Sequence, residues 1–441
     1  MAEERDTQRA NYSLETTKKV NYLQKQFYAR AHEAKQNEDW KVAWCMLGVP
    51  KQLLEAFEVQ PVFPENYGTV CAAKQVGRFI EEAEADGFSE DICSYARNCI
   101  GFAKIRAETG EIPPDAPRGG LADPDFLMAP TGGCDARLKW FQQLARYNDL
   151  PYLCFDAQSP LRDTDVDDPR VASQYIEHNL AELRTVVEFL EQQTGKKFDV
   201  SRQNKLRERM WNAYQSSKIW HDVQDLRKAI PSPMPSQDFW ADMVIQQSYA
   251  GDRLAIDFYQ ELFNEVKERV DKGIGVIPHE KYRLMWGALP MWFNLGLMSY
   301  FEAEGAVFAF EEHYHGNRPT EPDLADPLRA MATTGFHNSR GDRGRQVRVD
   351  AYVEYARDYS IDGIVINQVR SCRANGIGHL YANTYLQRTL SGIPMLHLES
   401  DMGDARAYSA AQVKMKINVF IELLGEAAKR GQENLPAAAG S

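Results

Sequence analysis

The stretch DFLMAPTGGCDARLKWFQQLARYNDLPYLCFD, residues 125–156, decides the fold class. Asp125 to Ala129 is an apolar strand pattern, Thr131-Gly132-Gly133 is a turn, and DARLKWFQQLARY carries its apolar residues at helical spacing. Pro151 then opens another strand, PYLCFD. Upstream, VAWCMLGV (42–49) reads as a buried strand that stops at Pro50, KQLLEAFE as an amphipathic helix, and VQPVF as a short strand closed by Pro64. Helices are predicted over Val70 to Asp86 and Cys93 to Thr109. Strands alternating with helices in this way predict a parallel sheet with helices on its faces.

Working outward, the first 40 residues are polar, with Tyr22, Leu23, Phe27 and Tyr28 at helical spacing, and read as a peripheral helical arm. The first α/β part is assigned to 41–165. Residues 166–275 carry long 3.6-period patterns and almost no strand signal, which predicts a helical segment. A second α/β part, 276–428, contains the strand-like runs RLMWGALP, GAVFAFEEH, DGIVINQV and PMLHLESD. Helices are predicted at VDAYVEYARDY, from Ala374 to Leu390, and at AAQVKMKINVFIELLGEA. The tail, 429–441, is low in complexity and predicted to fray. The fold class is therefore α/β, with two Rossmann-like parallel-sheet domains separated by helices.

With 441 residues, the chain is long enough for two or three domains. Its 51 basic and 63 acidic side chains give a net charge of −12, which argues against a nucleic-acid-coating protein. No run of 18 apolar residues and no signal-type leader is seen, so a soluble, cytoplasmic protein away from membranes is expected. In that compartment its seven cysteines are reduced thiols. None forms a CxxC pair. Cys45 and Cys154 lie in apolar strand runs and are assigned to the core, as are Cys71 and Cys99 on helix faces. Cys93 opens a helix, and Cys134 and Cys372 follow strands at equivalent junctions. Ligands of open α/β sheets collect beyond such strand ends, where a thiolate can bind metal.

Four segments together carry a resemblance: DICSYARNCIG, APTGGCDARLKWFQQLARYNDLPYLCFD, DGIVINQVRSCRANGIGHLY and GIPMLHLESDMGDARAYSAAQVKMKINVFIE. They resemble the 2-hydroxyacyl-CoA dehydratase and benzoyl-CoA reductase family over roughly Trp44 to Glu422. Around PENYGTVCAAK and SEDICSYARNCIG the chain resembles the larger, cluster-bearing catalytic subunit of ATP-dependent (class I) benzoyl-CoA reductases more than the dehydratases. The resemblance implies that Cys93, Cys134 and Cys372 are three ligands of a [4Fe-4S] cluster with one iron left open. It implies dearomatisation of an aryl-CoA thioester, or dehydration of a 2-hydroxyacyl-CoA as the alternative. A non-catalytic electron-relay subunit is a third reading. The resemblance also implies a homologous second subunit. The sequence has no GxxxxGK[ST] loop, so ATP hydrolysis is assigned to a separate iron–sulfur activating component.

Other residues have two readings each. Glu65 follows a strand, and the resemblance gives it a substrate-orienting or proton-donating role; a solvated loop carboxylate is the alternative. Arg370 and Arg373 flank Cys372 as candidates for binding substrate or CoA, or as surface charges. Trp286, with Trp292 and Phe293, lines an aromatic pocket or fills the core. HNSRGDRGRQVR (337–348) holds CoA phosphates or a partner, or is a solvated loop. Gly132 and Gly133 allow close approach to a ligand or make a plain turn. Glu399 and Asp401 occupy the strand-end position after PMLHLESD, where Asp401 caps the following segment or takes part in chemistry. His313 and His315 have no third partner in sequence, so a second metal site is not predicted.

Overall fold

Among the described residues, the computed structural model has eight strands, which form two four-stranded sheets with the same topology. The structure describes residues 13–134, 136–158, 168–338, 345–373, 389–390 and 392–433. In the first sheet β1 (Lys41–Cys45), β2 (Val59–Val62), β3 (Phe126–Pro130) and β4 (Tyr152–Phe155) lie in the order β2-β1-β3-β4. In the second, β5 (Tyr282–Gly287), β6 (Ala306–Glu311), β7 (Gly363–Val369) and β8 (Met395–Ser400) lie in the order β6-β5-β7-β8. Every neighbouring pair is parallel. In both sheets the strand order reverses between the first and third strands. The crevice beyond their carboxyl ends is where open α/β sheets bind ligands. The α/β expectation of two parallel sheets holds.

Along the chain between β4 and β5, the described residues form four helices, Pro169–Thr194, Val200–Leu226, Ser236–Tyr249 and Arg253–Asp271. The first two start at Asp168 and Asp199, whose carboxylates accept from Arg170 N (2.9 Å) and Arg202 N (3.0 Å), each such cap contributing about 1 kcal/mol. Among the described residues no helix is long and apolar enough to cross a membrane.

Three local expectations change. The helix predicted over Val70 to Asp86 is two helices, Pro64–Ala73 and Arg78–Ala85. Gln75 sits left-handed (φ 56°) and Val76 N–H closes back on Cys71 O at 3.0 Å, which terminates the first. Cys154, assigned to the core, is exposed. Its strand is the edge of the sheet and is incompletely covered, which an apolar run does not reveal. The N-terminal arm is docked rather than peripheral, since helix Val20–Lys35 buries Phe27, Tyr28 and Ala31. Ahead of it, Leu14 N and Thr16 N donate to Asp238 (2.7 Å) and Glu265 (2.9 Å). Most of the helix predicted from Ala374 to Leu390, the middle of HNSRGDRGRQVR (339–344) and the tail beyond Glu433 lie outside the described residues.

His315, just after β6, packs edge-on to Tyr355 and Tyr359 and against Phe310 and His221. Burial, reinforced by His221 and Arg227, lowers its pKa from 6.5 to about 3. Between those values the unfolded chain binds a proton that the folded chain refuses. The stability is therefore complete above pH 6.5 and falls by up to about 1.4 kcal/mol per pH unit as the pH drops towards 3. Urea unfolding of His315→Phe at pH 7 and pH 5 is expected to show a smaller loss between the two pH values than the parent chain.

Candidate functional site

The two sheets meet through a polar seam that starts at the helix Ser94–Thr109. Cys93 is the N-cap of this helix, with non-helical backbone (φ −40°, ψ 124°). The next residue, Ser94, donates its N–H to Ser371 Oγ at 3.3 Å, and Ser371 Oγ donates to Asp401. One turn on, the buried Arg97 donates to Asp404 Oδ2 at 3.1 Å and to Glu84, with its Nε on Ile92 O at 2.9 Å. Arg406 closes the group by pairing with Glu84 (2.6 Å) and Asp404 (2.7 Å). A buried pair of this kind is costly to break, about 3–5 kcal/mol if one partner is removed. The seam therefore fixes Cys93 against the segment that follows β7, which carries Cys372. Asp401 also accepts from Gly403 N (2.7 Å) and Asp404 N (2.9 Å), which is the turn-capping role.

Cys134 and Cys372 occupy equivalent places, four residues beyond the end of β3 and three beyond the end of β7, the third strands of their sheets. Cys134 O accepts from Arg137 N (3.4 Å) at the entry to helix Ala136–Asn148, and Cys372 N donates to Val369 O (3.3 Å). All three half-buried thiols line one cavity of about 430 Å³, with Phe88, Ile92, Ala96, Ile100 and Trp140 as its apolar walls. Lys139 and Arg373 are the cations among its lining residues.

Burial raises the Cys93 thiol well above its ordinary value; the N–H of Ala96 opposes the rise, and Cys372, Glu65 and Cys134 add to it. Cys134 is raised by burial as well, with Arg137 opposing. Two thiols that resist ionisation, beside a third, and that repel one another as thiolates make a site that a cation would transform, because a coordinating thiol is deprotonated outright. Among the described residues no three His, Cys, Asp or Glu side chains converge as a single ion requires.

Glu65 lies near the start of helix Pro64–Ala73, introduced by Pro64 at its first position. Its Oε2 is buried without a hydrogen-bond partner, and Arg137 Nη2 stands 3.8 Å away. Burial raises its pKa, with Arg137 opposing. Beyond Glu65 lie residues that the sequence did not single out. Tyr95 is buried and hydrogen-bonded to Trp292 Nε1, and the rings of Trp292 and Tyr314 lie 6.0 Å apart. The only sequence signal for Tyr95 is its place two residues after Cys93.

The remaining candidates scatter. Arg373 lines the cysteine cavity, whereas Arg370 is half exposed and paired with Glu90 (3.1 Å) and Asp91 (3.6 Å). Trp286 is fully buried in β5, edge-on to Trp240 (5.7 Å) and Phe308 (5.5 Å), so it fills the core and offers no surface to a ligand. Glu399 is exposed. Gly132 and Gly133 are required by close approach. A Cβ at Gly132 would come 2.9 Å from Ala157 O, and one at Gly133 (φ +95°) 2.2 Å from Arg137 Nη1.

Comparison with known proteins agrees with this architecture. The (R)-2-hydroxyisocaproyl-CoA dehydratase alpha subunit of Clostridioides difficile is 28% identical over 422 residues, covering 93% of this chain and 96% of its own. The (R)-phenyllactyl-CoA dehydratase alpha subunit of Clostridium sporogenes is 26% identical over 411 residues, 89% of this chain and 92% of its own. A benzoyl-CoA reductase subunit of Thauera aromatica is 26% identical over 430 residues, 93% of this chain and 94% of its own. The family model described as 2-hydroxyglutaryl-CoA dehydratase, D-component, matches residues 46–424, and the chain belongs to that family.

Proposed function

We propose that this chain is the cluster-bearing subunit of an ATP-dependent aryl-CoA reductase of the benzoyl-CoA reductase type, with Cys93, Cys134 and Cys372 holding a [4Fe-4S] cluster. The observation that carries the reading is the meeting of three thiols, from one helix start and two equivalent strand ends, on a single apolar cavity. That donor set fits a cubane: soft sulfur ligands, a water-poor wall, and room beyond what one ion needs. Bound there with three protein ligands, the cluster supplies low-potential electrons one at a time at an iron with an open position.

The chain's own residues do the rest. Phe88, Ile92, Ile100 and Trp140 exclude water, which strengthens every charge interaction in the cavity. Lys139 and Arg373 put positive charge at the rim, which favours thiolates and added electrons. Glu65, with Oε2 buried, without a hydrogen bond and 3.8 Å from Arg137, is the acid that orients the thioester or gives up a proton. The relatives are named as subunits, which supports a homologous second subunit in the assembly. The lack of a phosphate-binding loop supports a separate iron–sulfur ATPase as electron donor.

A second reading, a 2-hydroxyacyl-CoA dehydratase subunit, is favoured by the dehydratase relatives, which are 26–28% identical against 26% for the reductase relative. The two separate when the anoxically purified complex is given ATP, reductant and either benzoyl-CoA or a 2-hydroxyacyl-CoA. Consumption of benzoyl-CoA is expected; turnover of the hydroxyacyl thioester alone would assign the dehydratase role. A cluster spectrum insensitive to either thioester would mark an electron-relay subunit.

A further inference from the structure

A second cavity, of about 320 Å³, lies at the carboxyl edge of the first sheet. The turn that carries Cys134 lines both cavities: Gly132, Gly133 and Arg137 face this one, Cys134 and Ala136 the other. One wall is apolar, made by Pro130, Phe155, Leu183 of helix Pro169–Thr194, and Met331 and Ala332 of helix Pro327–Asn338. The lining also carries two carboxylates, Asp156 and Glu182.

Both carboxylates are held in place. Asp156 accepts from Thr131 Oγ1, from Gln158 Nε2 (2.5 Å) and from His178 Nε2 (3.1 Å), while Glu182 Oε2 accepts from Asp156 N at 2.8 Å. Burial works to raise the pKa of Asp156, but these hydrogen bonds outweigh it, so the group stays ionised at neutral pH. Arg137 is the cation among the lining residues, and Glu65 already stands 3.8 Å from it. The cavity is therefore half apolar and carries a fixed negative excess.

We propose that this cavity receives the acyl or aryl group of the CoA thioester, and that its acidic lining selects a neutral group over one with its own carboxylate. The proposal rests on the reading of the chain as acting on a CoA thioester. The volume is at the small end for ligand pockets, which suits an aryl ring or short branched chain rather than the whole coenzyme. A terminal carboxylate would be buried against two like charges with one shared cation, an arrangement that rejects rather than tolerates the wrong substrate.

Gly335 makes the test clean. It lines the cavity on a helix, and a Cβ there would meet nothing within 4 Å, so Gly335→Phe places added bulk at the cavity lining. The experiment is equilibrium binding of benzoyl-CoA and glutaryl-CoA to the anoxically purified complex, with iron and sulfide measured on each preparation. The parent complex is expected to bind benzoyl-CoA at least about tenfold more tightly than glutaryl-CoA. Glu182→Gln, which keeps the acceptor for Asp156 N, should narrow that gap. Gly335→Phe should weaken benzoyl-CoA binding by about tenfold or more with iron and sulfide unchanged. Equal binding of the two thioesters by the parent, or unaltered binding by Gly335→Phe, would overturn the proposal and leave the CoA-thioester function standing. A parent complex with full iron and sulfide that binds neither thioester would overturn both.

Discussion

Serine at position 93, 134 or 372, introduced singly, is expected to strip most of the iron from the chain and to lower thioester turnover by at least about 100-fold. Loss of groups that merely support a metal ligand costs 10–100-fold, so loss of a ligand sets the larger effect. Serine keeps the size of cysteine but replaces a soft sulfur donor by a hard hydroxyl that does not ionise in an apolar cavity. The other cysteines provide the contrast. Cys45, Cys71 and Cys99 are buried in the core, and serine there should cost about 1–3 kcal/mol in stability while leaving the iron in place. Cys154 is exposed at a sheet edge, so Cys154→Ser should stay within about 0.5 kcal/mol of the parent. Iron and sulfide analysis with urea unfolding on the seven variants checks the whole pattern. Iron loss from Cys45→Ser or full iron in Cys134→Ser would contradict it.

Gly101→Ala is expected to destabilise the chain by about 3 kcal/mol or more, a large cost for one methyl group. A Cβ at Gly101 would stand 1.8 Å from Phe79 O and 2.7 Å from Phe79 C, both backbone atoms of the neighbouring helix Arg78–Ala85. Neither atom can step aside as a flexible side chain does, so the two helices must part. The helix Ser94–Thr109 carries Cys93 at one end and Arg97 in the seam, and moving it disturbs both. Iron content should therefore fall along with stability. Gly110, where a Cβ meets nothing within 4 Å but φ is +73°, serves as the control. Alanine there should cost about 1 kcal/mol and spare the iron. Chemical unfolding distinguishes the two, and a Gly101→Ala chain as stable as the parent would refute the close packing of these helices.

The strands and the long helices were legible because their apolar runs and helical periods are local. The equivalence of the two sheets was partly legible too, in the junctions that place Cys134 and Cys372 after their strands. What spacing could not reveal is that Cys93 joins them. Its position depends on the Ser94–Ser371 and Arg97–Asp404 contacts, between residues some 300 apart in sequence. The same limit explains Cys154 and Trp286. An apolar run says that a strand is covered somewhere, not whether it lies at an edge or which face meets the core. Trp286 went to the core because helix Ser236–Tyr249 lays Trp240 over it. Arg137, Tyr95 and Tyr314 were invisible for a related reason, since an arginine on a helix or a tyrosine after a cysteine becomes part of a site only when the fold brings Glu65 and Trp292 alongside.

The central claim is that three cysteines from two sheets hold one four-iron cluster. Its most direct test is the iron and acid-labile sulfide content of the anoxically purified chain, separated from any partner subunit. About four iron and four sulfide per chain are predicted. A chain that is folded and binds neither iron nor sulfide would contradict that claim.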